Sequence, residues 1–195
     1  MKVSLTPAQR FLCCAISDDD GWHQQELEAL WQKVGSDEAW AIAERNGAES
    51  TVAGALRDVL EEKQVPPCWP KAVSTMSDKI SLFMGELDRV AAALAEDGIR
   101  LVALKNAGIA RGIFPNLAGS PMGDVDVLVS HSRFREAHAI MLGLGYEMDS
   151  RSGKRNLEEA ERSGGTEYTC QLPDGSKFWF ELQCIKSWEF KLMGM

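Results

Sequence analysis

The segment Gly119-Ser-Pro-Met-Gly-Asp-Val-Asp-Val-Leu-Val129 decides the fold that this sequence predicts. A loop bearing glycine and serine runs directly into an apolar stretch that is typical of a buried β-strand. Asp124 and Asp126 stand two residues apart, so on a strand both carboxylates leave the same face, with α-carbons roughly 6.5–7 Å apart. Burial of two like charges is costly unless a cation accompanies them. The segment therefore predicts a strand whose two carboxylates hold a divalent cation.

The cation that suits this pair is one that prefers oxygen ligands, Mg²⁺ or Mn²⁺, with the phosphates of a substrate completing its coordination. Two such ions about 3.5–4 Å apart clamp the attacking and leaving oxygens of an in-line displacement at phosphorus. The alternative is that Asp-x-Asp at the start of a strand only caps a turn. The protein would then be an interaction module whose helical first half docks a partner. Loss of Mg²⁺ or Mn²⁺ binding in Asp124→Asn would remove that alternative.

The composition narrows the range of partners. The 195 residues carry a formal net charge of -8, which argues against a long DNA or RNA footprint because such binding depends on Lys and Arg at phosphates. A single nucleotide remains compatible, since bound magnesium supplies positive charge. The five cysteines show no Cys-x-x-Cys spacing, and no apolar run reaches the roughly 20 residues of a membrane span. We therefore expect a cytoplasmic protein with neither a zinc site nor a membrane partner.

Residues 1–70 are predicted to form a helical region. Thr6-Pro7 marks a helix start, and Gln24 to Val34 places its apolar residues on one helical face. Ser36 is predicted to cap a third helix, and Ser50 to Lys63 is predicted to form a fourth. The proline-rich segment Pro66 to Pro70 is predicted to break the helical pattern. The sequence leaves the role of this region open between a lid, an acceptor site and a homodimer surface.

Residues 71–195 are predicted to mix strands with helices, which makes the whole chain an α+β fold. In chain order we predict a helix over 72–97 ended by Gly98, a strand over 99–104, a helix over 106–114, a strand over 124–129, a helix over 134–144 capped by Ser132, and strands over 146–148, 166–172 and 176–184. The strand, helix and strand over 99–129 resemble an α/β unit.

The last two predicted strands flank Pro173-Asp174-Gly175, which has the composition of a hairpin turn. Successive side chains of a strand point to opposite faces. Glu181 therefore shares its face with Trp179 and Gln183 and projects from the side opposite to Phe180 and its apolar neighbours.

Three segments together carry a resemblance to a known family. Leu101-Val-Ala-Leu-Lys-Asn106, a helix ending at Ile113-Phe114-Pro115, and Met122-Gly-Asp-Val-Asp-Val-Leu-Val129 resemble the uncharacterised bacterial nucleotidyltransferase family of the DNA polymerase beta-like superfamily. The resemblance covers mainly residues 80–185. That family typically shows Leu-Lys-Gly, a Tyr-Pro or similar pair, and Met-Gly-Asp-Ile-Asp-Leu-Leu-Val, followed by a later acidic residue on a strand. The specific part here is Gly-Asp-Val-Asp-Val-Leu-Val in that order.

The resemblance implies a nucleotidyltransferase-like small mixed sheet over residues 71–195, flanked by helices, with three carboxylates that hold two Mg²⁺ ions. It also implies transfer of a nucleoside monophosphate from a nucleoside triphosphate, ATP first among them, to a hydroxyl of a small molecule, peptide or protein. Carried over by residue, Asp124 and Asp126 are metal ligands. Glu181 is the candidate third carboxylate, which in the superfamily helps to activate the acceptor hydroxyl. Its alternative is an exposed glutamate of a hairpin strand.

Five residues are candidates for contact with the nucleotide. Lys105 follows a strand at the start of a helix, where backbone N–H groups and a cation suit phosphate oxygens. Asn106 replaces the family's usual glycine, and Ser120 stands where arginine is more common. Gly119 and Ser120 imitate the Gly-Ser phosphate loop of the wider superfamily, although they lie closer to the aspartates. Gly123, from the Met-Gly-Asp motif, completes the set.

These departures motivate a second hypothesis, a catalytically degenerate module that binds a nucleotide or partner without transfer. The glycine-to-asparagine change at Asn106, the serine at 120 and the end of the sequence soon after Glu181 all favour it. Metal-dependent release of pyrophosphate from a nucleoside triphosphate would argue against it. An active enzyme is preferred because phosphoryl transfer needs mainly positioning and charge neutralisation, which a strand with bound metals supplies.

Overall fold

The computed structural model describes residues 4–17, 23–112, 117–119, 121–149, 153–154 and 156–185. The chain divides into two compact units. The helical unit comprises Met1–Lys79 and Pro115–Pro121, and the sheet unit comprises Ile80–Phe114 and Met122–Met195. Among the described residues, no helix has both the length and the apolar character needed to cross a membrane.

In the part of the helical unit that the structure describes, there are four helices and the start of a fifth. They are α1 Pro7–Ile16, α2 His23–Val34, α3 Ser36–Arg45, α4 Glu49–Val59 and α5 Cys68–Glu96. The start of α1 is confirmed, because the Thr6 hydroxyl accepts from the Gln9 backbone N–H at 3.2 Å and the Gln9 side chain accepts from the Thr6 N–H at 2.9 Å. These paired bonds satisfy two N–H groups that a helix end otherwise leaves exposed.

Three predicted helix boundaries are wrong. Ser36 is the first residue of α3 and not its cap, since Gly35 precedes the helix with a positive φ of 79° and no side chain closes its end. The fourth helix ends at Val59, and a short 3-10 turn follows at Glu62–Gln64. The helix α5 begins at Cys68, so Pro70 lies in its first turn. Proline is tolerated there because first-turn N–H groups have no acceptor within the helix.

The core of the helical unit is aromatic. Trp69 is fully buried, and the rings of Trp31 and Trp40 lie 6.1 and 4.9 Å from it in edge-on arrangements. Such contacts add to the stabilisation that burial of the rings provides. The 3-10 turn Leu117–Gly119 is bound to α4 by a hydrogen bond. The buried Ser50 hydroxyl donates to the carbonyl of Ala118 in this turn at 3.0 Å. The tryptophans at these three positions therefore pack the core of the helical unit.

The described residues of the sheet unit form five strands in the order β1-β2-β5-β4-β3. They are β1 Leu101–Ala103, β2 Val125–Ser130, β3 Glu147–Met148, β4 Gly165–Gln171 and β5 Lys177–Ile185. β2 and β5 are parallel, and the other neighbours are antiparallel. The sheet is therefore mixed, and the predicted α+β class is confirmed.

Between these strands, the described segments form the helices α6 Lys105–Ile109, α7 Phe134–Gly143 and α8 Leu157–Arg162. The predicted α/β unit is wrong in one respect, because β1 and β2 pair antiparallel and the five-residue α6 is too short for a parallel crossover. Ser132 does not cap α7; it lies within the 3-10 turn His131–Arg133. The helix α8 was not predicted, and its start is capped by Asn156, whose side chain accepts from the backbone N–H of Glu159.

The alternation along β5 separates two faces of the sheet. Phe178, Phe180 and Leu182 are fully buried on the core face, where the Phe178 ring lies 4.6 Å from that of Phe83 in α5. Burial of each of these side chains contributes roughly 1.5–3 kcal/mol. A register slip of one residue would bring all three to the opposite face, so their burial fixes the register. Glu181 consequently projects from the opposite face, as predicted.

Candidate active site

The face opposite the core carries a row of acidic residues across three adjacent strands. Asp126 of β2 pairs with Glu181 of β5, and Glu181 pairs with Glu167 of β4. Residues paired in this way project from the same face with neighbouring side chains. We call Asp126, Glu181 and Glu167 the carboxylate row. Two of its members, Asp126 and Glu181, were predicted from sequence to carry chemistry.

Asp126 and Glu181 are in direct contact. Asp126 is only 3 % exposed, and Glu181 is half-buried. A hydrogen bond with Asp126, followed by burial and by the negative charge of Asp126, raises the pKa of Glu181 above its ordinary value. Gln183 Nε2 also donates to Asp126 Oδ1 at 3.5 Å. Two carboxylates this close share a proton unless a cation compensates their charge.

Lys105 supplies one positive charge to the row. Its Nζ donates to Asp126 Oδ1 at 2.6 Å and lies 3.8 Å from Glu181 Oε2. The hydrogen bond to Asp126 is the largest cause of the raised pKa of Lys105, and the charges of Asp126, Glu181 and Asp124 raise it further. All three predicted carboxylates therefore act on one ammonium group.

The backbone around Lys105 is held in an unusual conformation. Lys105 has a φ of 48°, in the left-handed region that residues with a side chain rarely adopt. The Leu104 N–H donates to the Asp126 carbonyl at 2.9 Å, which ties the residue before Lys105 to β2. A Cβ at Gly108 would lie 2.6 Å from the Ala103 carbonyl oxygen, so only glycine allows α6 to turn back this tightly. Strained backbone of this kind is concentrated at functional sites.

A cavity opens beside the row. Its volume is about 380 Å³, and it is lined by Gly123, Asp124, Glu167, Trp179 and Glu181. Asp124 is exposed and stands one residue before β2 rather than on the predicted strand. It nevertheless borders the same cavity as Glu181. Gly123 lies in open space, since a Cβ there would meet no atom within 4 Å.

The remaining sequence candidates are Asn106, Gly119 and Ser120. Asn106 is the exposed second residue of α6, next to Lys105, and its φ is not in the left-handed region, so its side chain imposes no strain. Gly119 ends the 3-10 turn of the helical unit. Ser120 lies outside the described residues.

The chain also matches a known protein family. A family model described as an uncharacterised nucleotidyltransferase matches residues 32–183, well over half of the chain. The chain belongs to this nucleotidyltransferase family. The match begins within α2, whereas the sequence resemblance lay mainly over 80–185, so most of the helical unit is part of the sequence that the family shares. No curated protein matches the chain.

Membership in a nucleotidyltransferase family raises the question of a metal. Among the described residues, no group of three His, Cys, Asp or Glu side chains is already arranged to hold an ion. The donor set nevertheless fits a divalent cation. Asp126 and Glu181 present oxygen ligands in contact with each other, and Asp124 borders the same cavity as Glu181, so three carboxyl groups lie near the one ammonium group of Lys105. Mg²⁺ prefers this kind of oxygen-rich, negatively charged surrounding.

Two residues of this face were not selected from the sequence, Glu167 and Trp179. The position of the hairpin turn in the sequence could have identified Glu167. Once the turn is centred on Asp174, antiparallel pairing places residue 167 opposite residue 181. Trp179 shares the alternation of Glu181 and its ring lies 5.4 Å from Lys177 Nζ. A prediction of strand register, rather than of strand location, would have found Glu167.

Proposed function

We propose that the protein is a Mg²⁺-dependent nucleotidyltransferase that transfers a nucleoside monophosphate from a nucleoside triphosphate, ATP first among them, to a hydroxyl group. The observation that carries the proposal is the contact of Asp126 with both Glu181 and Lys105 on one face of the sheet. A strand-mounted carboxylate pair with an adjacent ammonium provides sites for a cation and for phosphate oxygens together. Mn²⁺ is the expected substitute for Mg²⁺.

The proposed reaction is an in-line displacement at the α-phosphorus. The acceptor oxygen forms a bond to this phosphorus while the bond to the bridging oxygen of the β-phosphate breaks. Pyrophosphate leaves with that electron pair, and the hydroxyl proton passes to water. Asp124, Asp126 and Glu181 would hold Mg²⁺, which when bound neutralises charge on the phosphates and makes the phosphorus more electrophilic. Glu181, which borders the cavity, would orient the acceptor hydroxyl.

The test of this proposal is a thermal-shift screen with each of the four ribonucleoside triphosphates, with and without Mg²⁺. A ligand that binds only the native state stabilises it by about 2.7 kcal/mol at 100 times its Kd. In a domain of this size that corresponds to a rise in Tm of roughly 5–10 °C. We expect the rise only when nucleotide and metal are both present. No rise with any of the four nucleotides in the presence of Mg²⁺ or Mn²⁺ would contradict the proposal.

Lys105→Met is expected to change metal and nucleotide binding in opposite directions. Without this ammonium group, Asp126 and Glu181 lose the positive charge that lies beside both of them, so Mn²⁺ alone should bind more tightly. Binding of the metal–nucleotide complex should weaken by about tenfold or more, because a charged hydrogen bond to phosphate contributes roughly 1.5–3 kcal/mol. Isothermal titration of Mn²⁺ and of a non-hydrolysable nucleotide measures both affinities.

The matched control is Lys33→Met, which removes the same charge from an exposed position on α2. It should leave both affinities unchanged. If Lys105→Met weakened metal binding and left nucleotide binding intact, Lys105 would have only a structural role at Asp126.

A further inference from the structure

Gln183 is a polar residue whose direct neighbours across the sheet are apolar. It lies on β5 two residues after Glu181, so it is half-buried on the same face as the carboxylate row. Its paired residues are Leu128 on β2 and Gly165 on β4. Neither has a polar side-chain atom, so the Gln183 amide has no hydrogen-bonding side chain directly across either strand.

The Gln183 amide instead contacts both carboxylates that we propose as metal ligands. Its Nε2 donates to Asp126 Oδ1 at 3.5 Å. A hydrogen bond with Asp126, together with burial, raises the pKa of Glu181, and a side-chain hydrogen bond with Gln183 lowers it. An amide NH₂ group has two donors, so one glutamine can serve two carboxylates. Gln183 therefore links Asp126 and Glu181 from one side.

The oxygen Oδ1 of Asp126 accepts from two donors. Lys105 Nζ donates to it at 2.6 Å, and Gln183 Nε2 donates to it at 3.5 Å. A carboxylate oxygen has two lone-pair sites, so these donors leave Oδ2 as the oxygen through which Asp126 would bind a cation. The two donors differ in charge. Lys105 opposes a cation by repulsion, whereas the neutral amide of Gln183 can orient the carboxylate without that cost.

We infer that Gln183 is a positioning residue whose side-chain amide orients Asp126 and Glu181 for a divalent cation. This inference rests on the proposed function, in which both carboxylates hold Mg²⁺. Hydrogen-bonded neighbours fix the orientation of metal ligands, and their loss weakens metal binding or activity by roughly 10- to 100-fold.

Gln183→Met tests the inference, because methionine has a similar length and no amide. Isothermal titration of Mn²⁺ alone should show binding at least about tenfold weaker than in the parent protein. The sign is opposite to that expected for Lys105→Met, which removes a positive charge. The ligand-free Tm should stay close to that of the parent, since methionine fills a similar volume. Gln183→Leu also lacks the amide and should weaken Mn²⁺ binding in the same way.

The matched control is Gln171→Met, which removes an amide from an exposed position of β4. It should leave the Mn²⁺ affinity unchanged. Parental Mn²⁺ affinity in both Gln183 variants would overturn the inference and leave the proposed function standing. If the parent protein itself binds no Mn²⁺, the proposed metal site fails and the inference fails with it.

The Mg²⁺ dependence of pyrophosphate release separates positioning of the ligands from a general structural role. In Gln183→Met the Mg²⁺ concentration for half-maximal release should rise about tenfold, while kcat at saturating Mg²⁺ stays within about twofold of the parent. A lower kcat with an unchanged Mg²⁺ requirement would assign Gln183 to the stability of the sheet and overturn the inference.

Discussion

Replacement of Asp126 by asparagine is expected to lower the rate of metal-dependent pyrophosphate release by about 10³-fold or more, the largest effect on activity that we predict. Asp126 contacts both Lys105 and Glu181. Asparagine keeps its size and removes its charge, so the cation loses a ligand and the phosphates lose the charge compensation that the cation supplies.

The fold should persist in Asp126→Asn. Burial of a charge is costly, and asparagine removes both that cost and the repulsion with Glu181. Lys105 retains Glu181 as a carboxylate within reach, since Nζ lies 3.8 Å from Glu181 Oε2. We therefore expect a Tm within a few degrees of the parent protein in the absence of ligand, together with loss of the stabilisation by nucleotide and Mg²⁺.

The matched control for this variant is Asp78→Asn, an identical change at an exposed position of α5. Single-turnover release of pyrophosphate should be unaffected by it. Retention of near-parental activity in Asp126→Asn would show that the carboxylate row does not hold the catalytic metal, whatever the nucleotide screen had found.

The faces of β5 could be predicted from the sequence because alternation of apolar and polar residues is a local pattern. Phe178, Phe180 and Leu182 have to be buried together, and this alone assigns Glu181 to the other face. The hairpin turn was likewise local, since Pro173-Asp174-Gly175 carries its own backbone preferences. Both predictions are confirmed by the strands that surround them.

The contacts that make the site could not be predicted in this way. Asp126 meets Glu181 through a parallel pairing of β2 with β5, and no turn links these two strands to set their register. The residue before Lys105 is held by the hydrogen bond from the Leu104 N–H to the Asp126 carbonyl, which joins residues far apart in the sequence. Alternation identifies the face of a strand, whereas the neighbour across a sheet depends on the whole topology.

Gly165→Ala is expected to cause the largest loss of stability. Gly165 begins β4 with a φ of 143°, and a Cβ there would lie 2.4 Å from the Leu182 carbonyl oxygen and 2.7 Å from the Gln183 α-carbon. These are backbone atoms of the paired strand, so no side-chain rotation relieves the overlap. Strain at such a φ and the forced separation of strands together cost about 3 kcal/mol or more.

For a domain of this size the expected decrease in Tm is roughly 6–12 °C. Gly143→Ala is the control, because Gly143 ends α7 without a positive φ and a Cβ there would meet no atom within 4 Å. Alanine favours a helix over glycine by up to about 1 kcal/mol, so this control should be neutral or stabilising. Thermal unfolding of the two variants gives the comparison. A Gly165→Ala protein as stable as the parent would mean that β4 and β5 do not approach each other as described. The pairing of Glu167 with Glu181, two residues further along β4, would then lose its basis.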